Sequence, residues 1–140
     1  MSWLLDTCVL SELVKPKPDA GLVAWIEAGD ETQFYLSVLT LGELAKGVAR
    51  LAAGAKRNRL QAWLHRDLTE RFAGRILPVD QTVATCWGEL QARAEKRGRP
   101  MPVVDGLIAA TAVSRDLTIV TRNGVDMEQS GASMLDPWKV

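Results

Sequence analysis

Thiols and imidazoles are nearly absent from this chain of 140 residues, which has two cysteines, Cys8 and Cys86, and one histidine, His65. Two cysteines make neither a disulfide framework nor a zinc pattern, and both read as small core residues. A lone histidine excludes nucleases that pair two imidazoles as acid and base; His65 reads as a surface residue of a basic helix. No apolar run approaches the ~20 residues that span a bilayer. The N-terminus has no basic region before its apolar stretch, and Asp6 interrupts that stretch, so no secretory signal is expected and the expected compartment is the cytoplasm. Repeats, low-complexity tracts and convincing linkers are missing, and the length fits one domain, 1–140, with a real core. No P-loop, dinucleotide-binding glycine fingerprint or nucleophile elbow occurs.

Neither charge sign is in excess, with 17 Lys/Arg against 17 Asp/Glu, which argues against a simple polyanion-coating protein. The charge is unevenly placed. Between Lys46 and Arg75 eight basic residues face two acids, Asp67 and Glu70, and a second basic cluster runs Arg93, Lys96, Arg97, Arg99. These are either solvated helix faces or a rim that contacts phosphates around an acidic centre. Lys46, Arg50, Lys56, Arg57 and Arg59 are the candidate RNA rim.

Short β-prone runs alternate with helical patterns. Trp3–Leu5 reads as a buried strand and Thr7–Val14 as a helix stopped by Pro16 and Pro18. A second helix opens at Asp19 or Ala20. Phe34–Leu39 reads as a strand, with Ser37 and Thr40 as candidate caps for a helix over Leu41–Ala53. Ala55–Phe72 has Leu60, Trp63, Leu64 and Leu68 at helical spacing. Ile76–Val79 is a short strand, Gln81–Lys96 a helix, Val103–Ser114 an apolar helix that should be largely buried. Leu117–Thr121 is a strand, and a short extended piece follows near Met134–Leu135. This order predicts an α/β protein: a small three-layer α/β/α sandwich with a mostly parallel sheet.

Three acids stand in unusual company. Asp6 ends the first strand, where sites gather in open α/β sheets, and Thr7 follows it. Glu43 lies in the first turn of a helix that follows a strand. Asp105 opens a helix that is otherwise apolar, a costly place for a charge unless it is paired or bound to metal. Thr121, Asn123 and Asp126 follow another strand. Each acid alone also fits a cap or a helix-dipole role. Together, at one sheet edge, carboxylates without thiolate or imidazole favour a hard cation, Mg²⁺ or Mn²⁺. Such a cation lowers the pKa of bound water and stabilises charge on a phosphodiester. An aspartyl phosphotransferase with Asp6 as nucleophile would want a second acid two residues on, and Cys8 stands there. Five tryptophans fit either a core or apolar contact surfaces.

Four segments resemble the PIN-domain ribonucleases, and within them the VapC-type toxins of VapBC toxin–antitoxin pairs, in their FitB-like subgroup. They are Leu4-Leu5-Asp6-Thr7 with Leu10-Ser11-Glu12-Leu13; Leu39-Thr40-Leu41-Gly42-Glu43-Leu44 with Gly47; Pro102 with Asp105-Gly106-Leu107-Ile108-Ala109-Ala110-Thr111-Ala112; and Leu117-Thr118-Ile119-Val120-Thr121-Arg122-Asn123. The ending Leu135-Asp136-Pro137-Trp138 is similar too. The resemblance covers essentially the whole chain, in family order. It implies a PIN-like fold. Asp6 and Asp105 would be the principal Mg²⁺ ligands, Glu43 would complete the acidic centre, and Thr7 and Thr121 would hold ligands or waters. The family's fourth acid would be Asp126 or absent, since Asn123 is uncharged. Glu12 would have a structural or rim role. The implied reaction is hydrolysis of an RNA phosphodiester by metal-activated water, leaving a 5′-phosphate and a 3′-hydroxyl. The implied partners are an RNA substrate, a second copy of the chain and a VapB-type antitoxin that lays an apolar segment along a groove. A PIN-like module that binds nucleic acid or protein without cutting is the alternative.

Overall fold

The computed structural model describes residues 1–139. Five short strands form one sheet in the order β3-β2-β1-β4-β5. They are β1 (Trp3–Leu5), β2 (Phe34–Ser37), β3 (Ile76–Leu77), β4 (Thr118–Val120) and β5 (Met134–Leu135). Every pairing is parallel, with Leu5 opposite Val120 and Leu4 opposite Tyr35. The helices are α1 (Thr7–Leu13), α2 (Ala20–Ala28), α3 (Val38–Ala49), α4 (Ala55–Ala62), α5 (Thr69–Arg71), α6 (Gln81–Lys96) and α7 (Val103–Arg115). A π-helical turn, Trp63–Leu68, joins α4 to α5, and 3₁₀ turns lie at Glu31–Gln33 and Gly124–Ser130.

Alternation along the strands builds the three layers, because successive side chains point to opposite faces. Leu5, Leu36 and Val120 enter one apolar cluster with Val9, Leu22, Leu44 and Leu68 from α1, α2, α3 and the π-helical turn. Leu4 and Ile119 enter the other, with Ile108, Ala109 and Ala112 of α7. A third cluster, including Val83, Leu90 and Ala110, fastens α6 onto α7. The sheet is thus covered on both faces, as parallel strands require. The chain leaves β1 toward β2 on one side and β4 toward β5 on the other. The crevice where the winding reverses, between the ends of β1 and β4, is the ligand position such sheets favour.

Several boundaries differ from the sequence expectation. β2 stops at Ser37, and Val38 and Leu39 are already helical, because the Ser37 hydroxyl accepts the Leu39 N–H at 3.0 Å and caps α3. Thr40 is therefore inside the helix, fully buried, and is not a cap. Glu43 shifts from the first turn to the second. α3 ends at Ala49 rather than Ala53, and β3 is two residues long, without Val79. The long helix after Ala55 is interrupted by the π-helical turn. α7 is not wholly buried: Val103, Val104 and Val113 face solvent, while its Gly-Ile-Ala-Ala face is inside. His65 is exposed, as expected, and Cys8 and Cys86 are half-buried rather than deep core.

Candidate active site

Asp6 is the last rung of the central strand pair and the cap residue just before α1. Its backbone N–H donates to Val120 O at 3.0 Å, and its side chain then caps α1, accepting the Thr7 N–H at 2.8 Å through Oδ1. Its other oxygen, Oδ2, accepts the Thr121 hydroxyl at 2.7 Å. Asp6 is only 6% exposed and Thr121 2%. Thr121 is in turn fixed by its own N–H to Leu135 O at 3.0 Å, the last rung of β4–β5. It also accepts the Asn123 N–H at 3.0 Å. A buried carboxylate with both oxygens held is rigid, because each bond lost would leave a desolvated acceptor.

Thr7 links a second acid to this pair: its hydroxyl donates to Glu43 Oε1 at 2.5 Å, bridging α1 and α3. The third acid, Asp105, occupies the first turn of α7. The approach to that helix is clamped by Gln91, which donates to Met101 O at 2.8 Å and accepts Met101 N–H at 3.0 Å. The glycine after Asp105 lets Trp87 of α6 press close, since a Cβ at Gly106 would lie 3.0 Å from the indole Nε1. Burial first, and then the charges of Asp6, Asp126 and Glu43, push the Asp105 carboxyl up to about 6. That places all four acids in one electrostatic neighbourhood, although they come from four different segments. Asp126, exposed on the 3₁₀ turn Gly124–Ser130, is the fourth charge; Asn123 offers its backbone N–H to Thr121.

Sequence reasoning took Cys8 for a core residue, but its sulfur belongs to the site. Cys8 Sγ lies 3.6 Å from Thr121 Oγ1 and 3.9 Å from Asp6 Oδ2, and accepts the Arg122 N–H at 3.5 Å. Burial pushes the Cys8 thiol up, with the Asp6 charge adding to it, so the sulfur is a neutral packing group. The signal was its place two residues after Asp6, in the first turn of α1. Glu12 is turned to structure: it accepts Lys15 Nζ at 2.9 Å and Asp19 N–H at 3.0 Å, and the Lys15 bond foremost holds its carboxyl below the usual range.

The donor set suits a hard cation. The acids crowd like charge around a partly buried carboxyl, which a divalent ion would relieve. Among the described residues, no three Asp, Glu, His or Cys side chains come close enough to encage an ion by themselves. An ion here would keep much of its water, as Mg²⁺ does when one or two carboxylates hold it.

The basic residues divide into two groups. Arg71 bonds Glu31, and Arg75 donates to Phe34 O at 2.7 Å and to neighbouring carbonyls, so these two are structural, whereas Arg66 pairs only with its exposed neighbour Asp67. Lys46, Arg50, Lys56 and Arg59 are exposed, and among the described residues they form no ion pair. Arg57 is half-buried, with its Nε inside and unpartnered. Lys46 and Arg50 follow Glu43 at helical spacing, so a line of positive charge leaves the acidic centre along α3. A groove of about 780 Å³ lies beside the acids rather than around them, lined by Leu10, Leu13, Val14, Trp63, Leu68 and Phe72 among others. No helix among the described residues is long and apolar enough to cross a membrane.

Known proteins share this fold. The PIN domain family matches residues 3–129. Toxin FitB of Neisseria gonorrhoeae is 38% identical over 135 residues, covering 96% of this chain and 97% of that protein. VapC ribonuclease Y4jK of Sinorhizobium fredii is 38% identical over 136 residues, covering 97% of each. The crystal structure of FitAcB from Neisseria gonorrhoeae superposes with a TM-score of 0.93 at 38% identity, covering 99% of both chains. The acids of β1–α1, α3 and α7 thus sit in a fold shared along its whole length, and the chain belongs to the PIN-domain family, in the branch that contains the FitB and VapC toxins.

Proposed function

We propose that this chain is a Mg²⁺-dependent endoribonuclease acting as the toxin of a toxin–antitoxin pair in the cytoplasm. The observation that carries the reading is the placing of Asp6 at the end of β1, of Glu43 on α3 bonded through Thr7, and of Asp105 in the first turn of α7, where burial and then the charges of Asp6, Asp126 and Glu43 raise the Asp105 carboxyl. Asp6 and Asp105 are the proposed ligands, and Mn²⁺ is an alternative ion. Bound there, the ion supplies a Lewis acid for a phosphodiester and acidifies water. The protein's part is positional. Thr7 N–H and Thr121 hold Asp6 in one orientation, and the Thr7 hydroxyl holds Glu43. Burial, and then the charges of Asp6, Asp126 and Glu43, hold the Asp105 carboxyl up at about 6, and a bound cation would favour its ionised form. Lys46, Arg50, Lys56 and Arg59, with Arg57 behind them, are the proposed RNA rim.

The proposed partner is a VapB-type antitoxin, whose apolar segment fits the groove between α1, α2 and the π-helical turn. A homodimer is the proposed assembly. The reading is tested by incubating purified protein with an RNA pool and Mg²⁺. Asp6→Asn and Asp105→Asn should abolish cleavage while circular dichroism stays native. Variants that cut like the parent protein would remove these residues from the chemistry. Mg²⁺ binding without turnover on any RNA would favour the non-cleaving module, for which the uncharged Asn123 is the motive.

A further inference from the structure

Arg122 is the residue next to Thr121, and neither the acidic centre nor the basic rim has used it. Two contacts fix it. Its backbone N–H bonds Cys8 Sγ at 3.5 Å, pinning the loop after β4 onto α1. Its guanidinium carbon lies 5.4 Å from the centroid of the Trp138 ring. Trp138 is no loose surface residue: its ring packs against the apolar cluster of α1 and α2, and its backbone N–H donates to Asp136 Oδ1 at 2.9 Å. Packing thus holds the ring under the guanidinium, while the indole Nε1 is buried without a hydrogen-bond partner among the described residues.

The charge of Arg122 is also unspent. It is exposed, and among the described residues no carboxylate lies within salt-bridge distance of it. Glu12 feels its charge, but the Glu12 oxygens are taken by Lys15 and the Asp19 N–H. Asp6, two positions before Cys8, is already satisfied by Thr7 and Thr121. An arginine whose only task was to neutralise this acidic edge would pair with one of its carboxylates. Stacking on an aromatic face instead leaves the planar N–H edge available, and that edge matches the paired oxygens of a phosphate.

We propose that Arg122 is a substrate-contacting residue that holds a phosphate of the RNA beside the acidic centre, and that Trp138 is the positioning residue that fixes its guanidinium. This rests on the ribonuclease reading for its substrate, but it is read out independently of cleavage. A fluorescein-labelled oligouridylate is titrated by anisotropy in EDTA across a potassium chloride series, with the whole chain as parent, Arg122→Gln, Arg122→Lys and Trp138→Ala. Each phosphate neutralised on a single strand contributes about 0.7 to the slope of log K against log salt. Arg122→Gln should lower that slope by about this amount, Arg122→Lys should keep it, and Trp138→Ala should keep it while weakening binding. In Mg²⁺, Arg122→Gln should raise KM for a short RNA several-fold more than it lowers kcat.

A slope unchanged by Arg122→Gln, with the variant natively folded, overturns the proposal even if cleavage proceeds normally. If Arg122→Gln does not fold, the Lys variant decides: retained slope with KM raised several-fold supports the fork-shaped contact, and wild-type KM overturns it. Trp138→Ala that leaves both affinity and KM untouched overturns the positioning role. A slope that falls as expected in a protein that cuts no RNA would keep Arg122 as a phosphate contact and reject the nuclease reading instead.

Discussion

Replacing Asp105 by Asn should stabilise the metal-free protein, and the gain should grow with pH. The Asp105 carboxyl stands at about 6, against an ordinary 3.8, through burial and then the charges of Asp6, Asp126 and Glu43. The native state therefore binds a proton more tightly than the unfolded chain does. With the native pKa raised, the stability tied to that proton is present below about pH 4 and is lost as pH rises through about 6. The difference from the ordinary value corresponds to about 3 kcal/mol at 1.36 kcal/mol per pH unit. Solvent screening at a half-buried group, and the loss of a favourable charge at the start of α7, reduce this to about 1–2 kcal/mol. For a chain of this length that is roughly a 4–8 °C rise in Tm. Thermal unfolding of parent and Asp105→Asn in EDTA, from about pH 4 to about pH 8, measures it. The gain should be near zero at the acid end and should plateau above about pH 7. Added Mg²⁺ should raise the parent's Tm more than the variant's and so narrow the gap. A variant less stable than the parent at the alkaline end, or a gain independent of pH, refutes the account of Asp105 as a charge held against its own fold.

Three further outcomes follow from the geometry. Thr121→Val removes the hydroxyl that bonds Asp6 and receives Asn123, leaving a buried carboxylate oxygen unpaired. Chemical denaturation should show a loss of about 1–3 kcal/mol, together with weaker cleavage. Thr7→Ala releases Glu43 and spares the Thr7 N–H bond to Asp6, so cleavage should fall by about tenfold while stability shifts by under about 1 kcal/mol; equal losses in both would argue against a positioning role. Leu13→Asp puts a charge in the groove, and gel filtration with the co-expressed antitoxin should show the complex lost while RNA cleavage persists.

Much of the fold was legible because the layers are written as alternation. Leu4 and Leu5, Ile119 and Val120, have opposite faces to fill, and the intervening helices are amphipathic. The acids were legible for the opposite reason, as single charges in apolar surroundings that no local pairing explained. What the pattern could not decide was competition between equivalent groups. Ser37 and Thr40 both make good caps, and only the packing of Val38–Leu44 selects Ser37. The π-helical turn leaves the Leu64 and Leu68 spacing intact, so no periodicity betrays it. The roles of Cys8 and Arg122 depend on contacts between residues more than a hundred positions apart. Of the basic run Lys46–Arg75, the pattern alone does not separate Arg71 and Arg75, tied to Glu31 and the Phe34 carbonyl, from the cations that form no ion pair among the described residues.

The hydrogen bond from Thr121 to Asp6 spans 115 positions of sequence. Asp6 is therefore made 115 residues before Thr121. The central strand must wait, unpaired on its β4 side, until β4 has been made. A chain that stops between α7 and β4 carries Asp6, Glu43 and Asp105, yet lacks the hydroxyl that orients the first of them. For the toxin proposed above, this order of assembly withholds an oriented Asp6 until β4 has been made.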